Sequence, residues 1–374
     1  MNFIIQKENL LNNLRIVEHV TTVRGTQPVL SNILIETIDD KTLKLKGTDL
    51  DLGMEIKVEA KVLEKGSITL PAKKLSEIIA KLPENPINFS LNDETNQTSI
   101  TCGNTKYDII GIASTEFPAN FDEEILKDSN NTVEVEIQPF LKAIRQTVFA
   151  AASYDTNNVL SGVYCNISGQ NLEMAATDGN RLSRVIDKIT NKDNKEIMAI
   201  IPSKTLTEFT KFVVGSIVDK VSITVKNGQI LFKLKDRHFT SRLLDGQYPK
   251  YQQLIPAKSV NIAIVNRESF ISALDRSSAM VNERTNIVKM IFEDNKLLLK
   301  ADTPDLGDSM DLIDVVYDKE ELKIAFNYKY IIDSLRIMES ENVKIELGSS
   351  LSATLFKPDS EDDYLSLIMP VQIR

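Results

Sequence analysis

The sequence predicts an α+β protein made of three diverged copies of one domain, each with two helices and an antiparallel sheet. Three observations predict it. An apolar helical pattern, a strand running into a polar turn, and a strand running into a helix each occur three times. They keep the same order, at an offset of about 130 residues. Chance helix–strand alternation accounts for one such anchor; three in one order at one offset argue for repetition.

Each copy opens on a short strand, at residues 3–5, 133–137 and 260–264. A helix follows, marked by Leu10, Leu11 and Leu14, by Phe140, Leu141 and Ile144, and by Phe270, Ile271 and Leu274. Spacings of three and four set these side chains on one helix face, toward a core. The second anchor is the strand and turn at 43–49, 172–178 and, more loosely, 297–303. The third is the strand and helix at 68–79, 199–206 and 324–329, with Pro71 and Pro202 expected in the first helical turn, where no N–H is needed. Asn227-Gly228 between two alternating runs marks a hairpin. Six helices are predicted, over 7–19, 72–82, 138–152, 203–214, 266–281 and 327–339. The segments 122–131 and 252–259 read as linkers, so the domains are expected at 1–127, 128–254 and 255–374.

With 374 residues, 42% hydrophobic and 26% charged, the chain has the composition of a globular protein. It holds no run of about 18 apolar residues for a membrane span, and its first residues turn polar too soon for a signal peptide. A cytoplasmic location is expected. Cys102 and Cys165 lie in strand-like runs without metal-ligand spacing and are expected reduced and buried. His19 and His238 are the two histidines, so a triad or a two-His metal site has little to draw on. Asp49-Leu50-Asp51 reads as a strand-end turn rather than a metal pair. No P-loop and no Gly-x-Gly-x-x-Gly is present. No catalytic residue, metal or cofactor is expected.

The net charge of −9 argues against a nucleic-acid binder. The charge is unevenly spread, however. The six helix windows carry about 13 Lys/Arg against about 8 Asp/Glu, which leaves about −14 for the rest. Two readings of that excess stand side by side. The helices form a weakly basic layer that approaches phosphates, or they carry Lys and Arg for helix propensity and solvation.

Six stretches together carry a family resemblance: Gly47-Thr48-Asp49-Leu50, Leu70-Pro71-Ala72-Lys73-Lys74, Ala176-Thr177-Asp178-Gly179-Asn180-Arg181-Leu182, Asp245-Gly246-Gln247-Tyr248-Pro249-Lys250-Tyr251, Phe326-Asn327-Tyr328-Lys329-Tyr330 and Met369-Pro370-Val371. In this order the chain resembles the bacterial β sliding clamps, processivity subunits of DNA polymerase III, over essentially its full length. The resemblance implies the DNA clamp fold, closed as a head-to-tail homodimer into a six-domain ring around duplex DNA. It implies a non-catalytic tether for the polymerase, with topology supplying the retention that weak ionic contacts do not.

The resemblance also implies a cleft for short linear peptides of polymerases, the clamp loader and repair proteins. Matched residue by residue, that cleft is Leu160, Thr177, Gly179, Asn180, Arg181, Leu182, Pro249, Leu254, Leu367, Met369, Pro370 and Val371. Asn180 stands where the family often has histidine and Gln253 where it often has arginine; Ile373-Arg374 extends past the usual ending. By the same match Arg24, Lys73 and Tyr154 fall at DNA contacts, with Tyr107 and Ile109 on one face of the dimer interface and Met280 and Val281 on the other. Two rival readings are a DNA-modifying enzyme on this scaffold, which needs clustered carboxylates in a basic groove, and a ring that holds no DNA.

Overall fold

Six α-helices among the described residues each follow a strand by at most one intervening residue. The computed structural model describes residues 1–22, 27–118, 125, 131–153, 158–191, 195–216, 218–257, 261–303, 306–360 and 363–372. Among these are six α-helices of 10–12 residues: α1 (Lys7–Glu18), α2 (Ala72–Lys81), α3 (Ile137–Thr147), α4 (Ser203–Val213), α5 (Arg267–Ser278) and α6 (Tyr328–Ile337). The strands before them are Asn2–Ile5, Ser67–Pro71, Thr132–Glu136, Ile197–Pro202, Asn261–Asn266 and Leu322–Asn327. Leu10, Leu14 and Val17 bury the inner face of α1; Phe140, Ala143 and Ile144 do so for α3, and Phe270, Ala273 and Leu274 for α5.

Two expectations need correction at these junctions. Pro71 and Pro202 close their strands, one residue before the helix. Both strands are sheet edges, where a missing N–H costs no ladder bond. In the third repeat Asn327 takes the same place and its side chain accepts the Lys329 N–H, capping α6. The helix expected over 138–152 ends at Thr147, whose hydroxyl bonds back to the Ala143 carbonyl at 2.7 Å; a 3-10 turn, Val148–Ala150, follows.

Two compact units result. The first comprises Met1–Ile137, Thr190–Ile197 and Lys204–Leu243; the second comprises Gln138–Ile189, Met198–Ser203 and Leu244–Arg374. They cut across the sequence repeats because sheets pair across repeat boundaries. In the first unit Leu52–Glu59 pairs antiparallel with Arg237–Arg242 at the middle of an eight-stranded sheet, Met54 opposite Phe239. In the second, Arg181–Lys188 pairs with Tyr364–Ile368 at the middle of another eight-stranded sheet, Leu182 opposite Leu367. A five-stranded sheet completes the first unit and a four-stranded sheet the second.

The cores are aromatic as well as aliphatic. Phe209, Phe212, Phe232 and Phe239 pack together with centroids 4.5–6.4 Å apart, and Phe3 stacks on Phe89 at 4.6 Å. Each fully buried Phe contributes about 2–3 kcal/mol relative to an exposed one. Cys102 and Cys165 are buried free thiols, and burial pushes the Cys165 pKa up to about 12.

Candidate partner-binding site

The site grows from one turn. Thr177 ends the strand Asn171–Thr177, and its hydroxyl donates to the Arg181 carbonyl at 2.6 Å while accepting the Gly179 N–H at 3.1 Å. Asp178 Oδ1 accepts the N–H groups of Asn180 and Arg181 at 2.9 and 3.0 Å. Gly179 has φ +92°, a conformation that disfavours any side chain although space is open there. The first repeat builds the same turn: Thr48 bonds the Leu52 carbonyl, and Asp49 Oδ1 accepts from Asp51 and Leu52. There Leu50 takes the left-handed position at φ +80°.

A buried apolar cluster is tied to this turn. Leu182 and Leu367 are 1% and 2% exposed, and they pack in one cluster with Ala175, Ile200, Tyr248, Tyr251, Leu355 and Leu365. Three tyrosines wall it. Tyr164, Tyr248 and Tyr251 have centroids 5.7–6.2 Å apart. The Tyr248 hydroxyl accepts the Thr177 N–H at 3.1 Å, tying the wall to the turn. The Tyr251 hydroxyl donates to Glu173 at 2.8 Å, and Arg184 holds the same carboxylate oxygen at 2.8 Å. Burial raises both phenol pKa values, so these are fixed neutral groups. Gly246, at φ +130°, lets the preceding loop pass Val159, whose Cγ1 would lie 2.9 Å from an added Cβ.

The lip is exposed and apolar. Met369 is 42% and Leu254 58% exposed; Pro249, Gly179 and Asn180 are exposed, and Leu160, Pro370 and Val371 are half-buried. The Met369 N–H donates to the Asn180 carbonyl at 2.9 Å, and the Val371 N–H donates to the Ala325 carbonyl at 2.8 Å. The last described segment is therefore pinned to the turn and to the strand Leu322–Asn327. Sequence reasoning missed the tyrosine wall. Its signal was available in Tyr248 and Tyr251 on either side of a proline, since buried tyrosines need a partner for each hydroxyl.

Arg181 stands apart from the other matched cleft residues. Its Nε donates to Asp178 at 3.0 Å, Nη1 to Asp333 at 2.7 Å and Nη2 to the Phe149 carbonyl at 2.5 Å. The guanidinium also lies 4.5 Å from the Tyr330 ring centroid.

The helical cations are fewer in effect than their count. Lys7, Lys74, Lys204, Lys211, Arg267, Arg276 and Arg336 are each ion-paired to a carboxylate. Arg15, Lys73, Lys81, Arg145 and Lys329 are exposed and make no ion pair among the described residues. In the first unit a groove of about 890 Å³ between α1 and the end of α4 is lined by Asn9, Asn12, Asn13, Arg15, His19, Lys211 and Arg237, among others. Arg24 and Tyr154 lie outside the described residues, as does Ile373-Arg374.

At the matched dimer faces, Tyr107 is 36% exposed and Ile109 half-buried on the strand Thr105–Ile110, an edge of the five-stranded sheet. Met280 is half-buried, and Val281 is only 7% exposed because it packs within its own chain. The sequence reading missed the strand Gly307–Asp314, an edge of the four-stranded sheet, where Met310 and Leu312 are 62% and 57% exposed. Among the described residues there is no group of three or more His, Cys, Asp or Glu able to hold a metal, and no helix long and apolar enough to cross a membrane.

Three family models match in order: the N-terminal domain of the DNA polymerase III beta subunit at 1–122, its central domain at 134–250 and its C-terminal domain at 252–372. The chain belongs to the DNA polymerase III beta subunit family. The beta sliding clamp of a Synechocystis species is 32% identical over 394 residues, covering all of both chains. The crystal structure of the Bacillus subtilis DNA polymerase sliding clamp matches with a TM-score of 0.93 at 29% identity, again over all of both chains. That of the Bartonella birtlesii sliding clamp bound to griselimycin matches over all of both chains at 0.92 and 30%. The beta subunit family is a non-catalytic processivity factor, and the role of this chain is that of a DNA polymerase sliding clamp. The expectations of clamp fold and clamp function drawn from the six stretches are borne out.

Proposed function

We propose that two copies close head to tail into a six-domain ring that encircles duplex DNA and holds partner proteins by short peptides in the Leu182–Leu367 cleft. The three domains of each copy would span 1–127, 128–254 and 255–374. One observation supports the cleft above all. Buried Leu182 and Leu367 share one apolar cluster with Tyr251, while Met369 and Leu254, two and three residues along the chain from Leu367 and Tyr251, are exposed, and the Asn180 carbonyl is bonded to the Met369 N–H. An extended segment with two large apolar side chains fits such a surface, and a polar residue ahead of them fits the Asn180 rim. Polymerase III, the clamp loader, other polymerases and repair proteins are the partners this reading names, and the cytoplasm is its location. Binding of short peptides is modest, because ordering a flexible segment offsets part of the contact energy. Calorimetry with a peptide carrying a Gln and a terminal Leu-Phe pair tests it: Met369→Ala should weaken binding. Unchanged affinity would put the partners elsewhere.

Ring closure rests on the two edge strands. Among the described residues, Thr105–Ile110 and Gly307–Asp314 are each the last strand of their sheet, and each exposes apolar side chains. Tyr107 and Ile109 on one copy would meet the Met280 end of α5 and the Met310 strand on the other. Val281 supports the interface from within its own core. For DNA, Lys73 with Arg24 and Tyr154 remain the matched contacts, joined by the exposed Arg15, Lys81, Arg145 and Lys329. Each such contact is worth little alone, and the ring supplies retention.

A further inference from the structure

We propose that Arg181 is a positioning residue of the partner cleft: it fixes the 177–182 turn against α6 and the chain after α3, and does not itself touch the peptide. The inference rests on the cleft reading above. Three observations carry it. First, the guanidinium is committed. Its three nitrogens donate to Asp178, Asp333 and the Phe149 carbonyl at 3.0, 2.7 and 2.5 Å, its plane lies against Tyr330, and the side chain is 11% exposed. A group so engaged would have to break charge-assisted bonds before it could bind a peptide oxygen.

Second, the molecule contains its own control. The Thr48-Asp49 turn of the first repeat makes the same bonds as the Thr177-Asp178 turn, and Leu52 occupies the place of Arg181: Thr48 bonds the Leu52 carbonyl and Asp49 accepts its N–H. The fold therefore builds this turn without an arginine. What the arginine adds is a tie to Asp333 and Phe149, elements 152 and 32 residues away.

Third, the turn it ties down carries the lip. The Asn180 carbonyl takes the Met369 N–H at 2.9 Å, and Leu182 sits opposite Leu367 one residue on. Motion of the turn moves the rim, the lip and one half of the floor together. With the guanidinium gone, the cleft loses its preset shape, and the peptide must order it on binding.

The test is fluorescence anisotropy with a labelled peptide carrying a Gln and a terminal Leu-Phe pair, on the full-length protein. Arg181→Leu, the residue of the first repeat, and Asp333→Asn should each weaken binding by roughly tenfold. The double variant should be no weaker than Arg181→Leu alone, and the penalties should persist when the peptide Gln is replaced by Ala. Full affinity in Asp333→Asn, or a penalty that vanishes with the Ala peptide, would overturn the inference in favour of direct contact. Should Arg181→Leu fail to fold, Arg181→Lys with Asp333→Asn carries the same comparison: Lys reaches one partner at most, so its penalty should shrink when Asp333 is also changed, and independent penalties would count against us. Met369→Ala separates the two claims. If it too leaves affinity unchanged, the cleft reading itself fails; if it weakens binding while Asp333→Asn does not, only the positioning role fails.

Discussion

Leu182 and Leu367 face each other across the pairing of Arg181–Lys188 with Tyr364–Ile368, so the floor of the proposed cleft is also the seam where the second and third repeats share a sheet. In the proposed reading, binding surface and fold would share those atoms. Leu367→Ala should therefore cost about 2–5 kcal/mol in urea unfolding, as a buried leucine does, in addition to any loss of peptide. A cost below about 1 kcal/mol would show that this leucine is not core. Met369→Ala, at the exposed lip, should leave the unfolding midpoint nearly unchanged.

The edge strands give a second expectation. Ile110 is 73% exposed and Met310 62% exposed on strands that, among the described residues, end their sheets. Met310→Lys should weaken the dimer by about 2 kcal/mol or more if it is an interface anchor, with little effect on the fold. Sedimentation at a series of concentrations reads this directly, and an unshifted dimer constant would remove Gly307–Asp314 from the interface.

Leu50 holds a left-handed backbone at φ +80° where the second repeat has Gly179 at φ +92°. Asparagine tolerates that region far better than leucine. Leu50→Asn should raise stability by about 0.5–1 kcal/mol in thermal or urea unfolding. A loss would mean that the apolar contacts of Leu50 outweigh its strain.

His238 titrates across the seam of the first unit. Burial lowers its pKa, Glu55 opposes this from 3.7 Å, and Lys233, Lys57 and Lys46 add to the lowering. A lowered histidine pKa means the unfolded chain binds the proton more readily. Its stability contribution is complete above the ordinary histidine range near pH 6.5 and falls as pH drops through it. His238→Gln should flatten the loss of stability between about pH 7 and pH 5. An unchanged pH profile would show that other groups dominate.

Much of the fold was legible because periodicity survives divergence. Leu10, Phe140 and Phe270 announce three equivalent helices, and all three are buried where expected. The turns at Thr48 and Thr177 were legible as strand ends, though not their shared bonds. What the sequence withheld is what long-range packing decides. Nothing near Arg181 in the sequence points to Asp333 or Tyr330, so its bonds were not legible there. Val281 reads as an exposed anchor in the sequence, yet only 7% of it is exposed in the folded chain. Gly307–Asp314 mixes three aspartates with Met310, Leu312 and Ile313, which looks like an ordinary half-solvated strand; its place at the end of the sheet, among the described residues, shows only in the fold.

The exposed helical cations have a salt signature. Equilibrium binding of the unloaded protein to short duplex DNA should be weak and should fall with salt. Replacing Lys73, Arg145 and Lys329 by Gln should reduce the logarithmic salt slope by roughly one per true phosphate contact. An identical slope in the triple variant would assign the phosphate contacts to other residues.

Topological retention can be read from one loading experiment. The protein is loaded onto nicked circular DNA by its clamp loader, the DNA is either left circular or cut once, and the bound protein is counted after gel filtration at moderate salt. A ring held by topology stays on the circle and runs off the linear ends. Equal retention on both forms would mean that contact affinity, not encirclement, keeps it on DNA, and would contradict the account.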